Sequence, residues 1–198
     1  MKPWFALTAL LLPGTLCAAS VGKPAPTFKV SDSHGKTHAL SDYKGKYIVL
    51  EWHNQGCPFV KKHYDSGNMQ KLQKEFTKKG VVWFSVISSA QGKQGHVTPT
   101  EADAYVKKTD AAPTAVLLDG AGTMGKQYGA KTTPHMFVVD PKGTLIYDGA
   151  IDDKPSTDLS DVAGAKNYVT AALNDAQSGK QVSQATTTAY GCSVKYGD

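Results

Sequence analysis

The sequence predicts an α/β fold built on a central mixed sheet, and three observations carry that expectation. Lys46 to Trp52 and Val81 to Ile87 are short, mostly apolar runs that read as buried strands. Between them, Pro58 to Lys79 has helical periodicity, with Tyr64, Met69, Leu72 and Phe76 on one face. Strand, helix and strand in that order imply a parallel crossover. Met136 to Asp140 and Leu145 to Tyr147 flank the turn Asp140-Pro141-Lys142-Gly143 and read as an antiparallel hairpin, which makes the sheet mixed.

The other elements follow along the chain. Pro24 and Pro26 make Gly22 to Thr27 an extended entry, and Phe28-Lys29-Val30 followed by the turn Ser33-His34-Gly35 suggests two short strands. The first buried strand stops at Asn54-Gln55-Gly56. Pro58 suits the first position of the helix, where its missing N–H would be unpaired anyway. Gly67 weakens that helix and Gly80 ends it. Thr98-Pro99-Thr100-Glu101 is a capping box that opens a helix to about Lys108. Val116 to Leu118 reads as a strand, Gly122 to Tyr128 as a short helical segment, and Leu159 to Ala176 as a final helix. Residues 20–177 thus form one domain. Residues 178–198, rich in Ser, Thr, Gln and Gly, read as a flexible arm ending in a small ordered patch at Tyr190-Gly191-Cys192.

Lys2, the apolar run from Trp4 to Leu16, and Cys17-Ala18-Ala19 before Ser20 read as a signal peptide over residues 1–19, predicting a periplasmic or secreted protein. The rival is a lipid on Cys17, which Gly14-Thr15-Leu16 fits poorly. No later segment approaches the roughly 20 apolar residues of a membrane helix, so no stable membrane anchor is expected. The net charge of +5 comes from 22 lysines, with no arginine in the chain. There is no dense basic run and no aromatic-basic interleaving, which argues against nucleic acid as a partner.

Without the leader, two cysteines remain, Cys57 and Cys192, enough for one bridge in an oxidising compartment. Cys57 lies between a strand and a helix, where unpaired N–H groups and the helix dipole favour a thiolate, and Lys61 and Lys62 follow in the next turn. A thiolate there attacks disulfides or peroxides. The alternative is a cysteine that only caps the helix or holds a fixed bridge.

The run from Glu51 to Tyr64, EWHNQGCPFVKKHY, resembles the strand, turn and helix of the thioredoxin superfamily, and Thr132 to Asp140, TTPHMFVVD, resembles its cis-proline loop and following strand. With Tyr147 to Asp153, YDGAIDD, the chain is similar over about residues 22–176 to the peroxiredoxin-like redoxin group of the alkyl hydroperoxide reductase and thiol-specific antioxidant superfamily. The resemblance implies a thioredoxin-like fold, helices on both faces of the sheet, and a thiol oxidoreductase. Two departures stand out. Val60 occupies the place of the second cysteine of a C-x-x-C motif. Asn54 stands where peroxiredoxins carry Thr or Ser, and there is no arginine to hold a peroxide with its planar fork.

On this resemblance Glu51 matches the buried acid behind the reactive thiol, with an edge carboxylate paired to lysine as the alternative. Asn54 supplies a hydrogen bond, and Pro58, Lys61, Thr133 and Pro134 shape the substrate site. Pro134, if cis rather than trans, would leave a free backbone edge at Thr133 for an extended partner. Cys192, 135 residues beyond Cys57, is placed like the resolving thiol of peroxiredoxins that use a C-terminal segment, or like a static staple. The bridge could close within one chain or between the two chains of a homodimer. The expected substrate is a peroxide or a protein disulfide, with a thiol reductant to complete the cycle. His53 and His63 read as surface or hydrogen-bonded side chains, and neither a metal nor another cofactor is expected.

Overall fold

The computed structural model describes residues 19–197. The expected leader falls almost entirely on residues 1–18, outside the described residues. After the extended entry, β1 (Lys29–Ser31) and β2 (Thr37–Ala39) form a small antiparallel hairpin. Next come β3 (Ile48–Trp52), α1 (Pro58–Asp65), α2 (Asn68–Lys78) and β4 (Val82–Ile87). They are followed by α3 (Pro99–Thr109), β5 (Ala115–Leu118), α4 (Thr123–Tyr128) and β6 (Thr132–Thr133). The chain ends with β7 (His135–Val139), β8 (Leu145–Gly149), α5 (Tyr168–Gln177) and β9 (Cys192–Ser193).

Five strands make the central sheet in the order β5-β4-β3-β7-β8. β3 runs parallel to β4 and antiparallel to β7, so the sheet is mixed. Side chains alternate across β3. Ile48, Leu50 and Trp52 join Phe84, Phe137, Met124 and Tyr128 on the face covered by α4. Val49 joins Trp83, Val138, Val60, Phe76 and Leu173 on the face covered by α1, α2 and α5. This is a thioredoxin-like α/β fold, and β3 is central because both of its faces are covered.

Two expected helices are broken. The Pro58–Lys79 stretch divides at Ser66-Gly67, where Gly67 takes φ 74° and becomes the N-cap of α2. Glycine adopts that left-handed geometry without a Cβ clash. Leu159 to Gly164 is a 3-10 turn, and α5 starts only at Tyr168, capped by the Asn167 side chain accepting from Thr170 N–H. The capping box at Thr98 and Glu101 is present in both directions. None of the helices among the described residues is long and apolar enough to cross a membrane.

Candidate active site

β3 delivers the chain to a tight loop at Asn54-Gln55-Gly56, and α1 begins at Pro58 with Cys57 as its N-cap. Asn54 builds this loop. Its Oδ1 accepts from Gly56 N–H at 2.9 Å, its backbone oxygen accepts from Cys57 N–H at 3.0 Å, and its Nδ2 donates to Gln94 Oε1 at 2.8 Å. The side chain expected to face the reacting atoms is therefore spent on shaping the turn.

Cys57 is fully buried and donates to the Thr133 carbonyl oxygen at 3.0 Å. The Thr133–Pro134 peptide is cis, and Thr133 forms half of β6. β6 pairs antiparallel with β9, Thr133 opposite Cys192 and Thr132 opposite Ser193. The tertiary structure thus puts Cys192 beside Cys57, as two free thiols within hydrogen-bonding reach.

The two thiols are not equivalent. Burial pushes the Cys57 thiol up, but hydrogen bonds from Cys192, the Thr133 side chain and Val60 N–H overcome it, and Cys57 titrates below an ordinary thiol. Burial, its hydrogen bond to Cys57 and the nearby negative charge push Cys192 up to about 11. Cys57 is thus the more acidic thiol of the pair, and Cys192 is a hydrogen-bond donor beside it. The expected lysines do not contribute. Lys61 points to solvent, and Lys62 is buried the other way, donating to the Lys154 carbonyl oxygen at 2.7 Å with Asp152 Oδ2 at 3.7 Å. Charge from α1 is replaced by donors at its first turn and on β9. Pro58 is exposed beside the thiol.

Glu51 lies in the middle of β3, opposite Ser85 and Met136, and is fully buried. Tyr64 Oη donates to its Oε1 at 2.8 Å. Trp83 Nε1, Gln73 Nε2 and Ser85 Oγ donate to its Oε2 at 2.9, 3.1 and 3.2 Å. This excludes the edge-carboxylate alternative. None of these hydrogen bonds goes to Cys57, and Glu51 reaches α1 through Tyr64, two turns below the thiol. Burial, with the charge of Glu51 and this hydrogen bond adding to it, raises the Tyr64 phenol far above its usual value.

Both histidines near the thiol are buried, not at the surface. His53 Nδ1 lies 3.5 Å from Glu51 Oε1 and has no hydrogen-bond partner, its ring packed against Tyr64 and Tyr105. His63 Nδ1 accepts from Asn68 Nδ2 at 2.9 Å, and its Nε2 lies 3.3 Å from Tyr190 Oη. Among the described residues, no group of three or more His, Cys, Asp or Glu could hold a metal ion.

Residues 185–197, the end of the expected arm, lie along the domain as a strap. Asp148 N–H donates to Ala185 O at 3.1 Å, and Thr187 Oγ1 meets Tyr147 Oη at 2.6 Å and Ala150 N–H at 2.9 Å. Tyr190 Oη donates to Asp152 Oδ1, and its ring packs against Phe59 with the Lys62 ammonium 5.8 Å from its centre. Beyond β9, Val194 N–H donates to Lys131 O at 3.0 Å, and Tyr196 Oη to Ala130 O at 2.7 Å. Tyr196 had no readable pattern in the sequence, whereas Asp152 lay in the YDGAIDD run and Tyr190 in the YGC run without either being given a role.

A thiol pair on a thioredoxin-like sheet, one cysteine at a helix start beside a cis-proline loop and the other delivered by a C-terminal strap, defines a redox-site architecture. Residues 21–148 match the AhpC/TSA family, and the chain belongs to that family. The chain is 29% identical to the thiol-disulfide oxidoreductase ResA of Bacillus thuringiensis subsp. konkukian over 126 residues, 64% of this chain and 67% of that one. A 48-residue stretch is 50% identical to peroxiredoxin-2 of Bos taurus, covering 23% and 24% of the two chains. The crystal structure of a conserved protein from Geobacillus kaustophilus shares the fold with a TM-score of 0.78 at 24% identity, over 90% of this chain and 93% of that one.

Proposed function

We propose that this protein is an exported thiol-disulfide oxidoreductase with Cys57 as nucleophile and Cys192 as resolving thiol. The observation that carries the reading is the juxtaposition of two free thiols from two different elements, Cys57 at the start of α1 against the Thr133 carbonyl and Cys192 on β9 opposite Thr133. The Cys57 thiolate attacks one sulfur of a substrate disulfide, forming a mixed disulfide and releasing the first thiolate. Once Cys57 is covalently bonded, the charge that raised Cys192 is gone, and Cys192 ionises more readily. Its thiolate then attacks Cys57 Sγ, releases the second substrate thiol and leaves a Cys57–Cys192 disulfide. Two electrons have passed to the substrate, and a thiol reductant restores the pair.

Disulfide is favoured over peroxide as the oxidant because the chain has no arginine and the Asn54 amide is already engaged by Gln94 and the loop. Similarity to ResA, an oxidoreductase by name, supports the same choice. The leader-like first 19 residues support export.

Stopped-flow reaction of the reduced protein with a model disulfide and with hydrogen peroxide tests the reading. Disulfide consumption that is lost in Cys57→Ser and stalls at a mixed disulfide in Cys192→Ser is expected. Absence of any Cys57-dependent reaction would overturn it. Faster reaction with peroxide than with disulfide would move the protein to the peroxidase side of its family.

A further inference from the structure

We infer that the strap residues Tyr190 to Ser193 act as a built-in substitute for an extended substrate and thereby set the substrate class, favouring small disulfides over disulfides carried on extended polypeptides. The inference rests on the redox reading above and adds specificity to it.

A strand edge with free N–H and C=O groups is where an extended polypeptide adds to a protein. The edge at Cys57 is β6, because Cys57 Sγ touches the Thr133 carbonyl oxygen. That edge is taken by β9, with Cys192 directly opposite Thr133. A polypeptide bringing a disulfide to Cys57 in extended form would need the same register. The strap therefore occupies both the backbone edge and the position of the incoming sulfur.

The occupation is built in on both sides of β9. Gly191 takes φ 137°, and a Cβ there would run into the Thr133 carbonyl, so only glycine lets the strap approach this closely. Upstream, Tyr190 is fastened to Asp152 and packed on Phe59. Downstream, Tyr196 sits where a Cβ on Gly122 or Gly125 would strike its ring. A small disulfide needs Cys192 to shift aside, whereas an extended polypeptide needs the whole of β9 to leave. Only the open fraction of molecules then reacts with a polypeptide. An open state populated at roughly 0.1–10% slows that reaction by about tenfold or more.

The test compares two disulfides with the same leaving group: 2,2′-dipyridyl disulfide, and a short extended peptide whose single cysteine carries the thiopyridyl group. Each is mixed with the reduced full-length protein, and released thiopyridone is followed by absorbance. The chemistry is the Cys57 attack written above, with thiopyridone as the leaving thiol in both cases. In the native protein the small disulfide is expected to react at least about tenfold faster relative to the same pair reacting with free cysteine, the size of the closed-state penalty. Gly191→Val and Tyr190→Phe are each expected to raise the peptide rate and narrow that ratio. Tyr190→Phe removes one hydroxyl and keeps the test open if Gly191→Val does not fold. Equal normalised rates in the native protein, or a ratio that neither folded variant changes, would overturn the inference. Reaction of Cys57 with neither disulfide would overturn the redox reading and this inference with it.

Discussion

Cys57 owes its acidity to partners that come from three places: the first turn of its own helix through Val60 N–H, the cis-proline loop through Thr133, and the strap through Cys192. The carbonyl of Thr133 at 3.0 Å favours the protonated thiol, so the thiolate depends on the donors that outweigh it. The Cys192 thiol is the largest single influence lowering the Cys57 pKa. Cys192→Ala is therefore expected to raise it, and thiolate absorbance against pH in native and variant protein measures the shift. A Cys57 titration that does not move would show that the helix start and the cis-proline loop activate it without the Cys192 thiol. Glu51 supports a different expectation. Four side chains donate to a carboxylate with no access to water, and an amide in its place turns one acceptor into a donor facing other donors. Glu51→Gln is expected to destabilise the fold by about 2–4 kcal/mol, as for other broken buried polar networks, read from chemical denaturation.

At the scale of elements, α1 carries both Cys57 at its N-cap and a buried clasp for the strap. Lys62 and His63 point inward to Asp152 and Tyr190, while Cys57 stands at the N-terminus of the same helix. Fixing the helix therefore fixes both thiols relative to each other. The break at Gly67 lets α2 turn so that its Met69, Leu72 and Phe76 pack with Trp83 on the same sheet face. Gly67→Ala forces a side chain into left-handed geometry and is expected to cost about 1–2 kcal/mol. The effect is read from the denaturation midpoint at an unchanged slope. The capping box predicts a loss of about 1 kcal/mol for Thr98→Ala, since Thr98 satisfies Glu101 N–H and Glu101 satisfies Thr98 N–H.

Across the whole molecule, His63 links the clasp to pH. Burial lowers its pKa to about 4, with Lys62 adding to that effect and Asp152 and Glu51 opposing it. The unfolded chain binds a proton near pH 6.5, but the native chain does not until about pH 4. Stability is thus lost as pH falls through that window, by on the order of 3 kcal/mol, and the loss levels off below it. Denaturation across the window, in native protein and in His63→Gln, checks the sign. The variant is expected to have the flatter profile.

The sequence by itself determined the α/β class, the order and position of nearly all the strands, the capping box at Thr98 and the placement of Cys57 at a helix start. Those features rest on local periodicity, caps and turn residues, which leave their pattern in neighbouring positions. Where each side chain is spent was decided only by the tertiary structure. Lys62 and His63 turned inward because Asp152 and Tyr190 arrive from residues far along the chain. Asn54 was consumed by Gln94, and Glu51 was satisfied by donors from α1, α2 and β4. The polar composition of residues 178–198 concealed a strap held by backbone pairing and by glycines that let it approach closely. The resemblance had offered Cys192 as a partner for Cys57, cycling or static, but hydrogen bonding across such distances has no periodicity to read, and the register that sets Cys192 opposite Thr133 belongs to the fold.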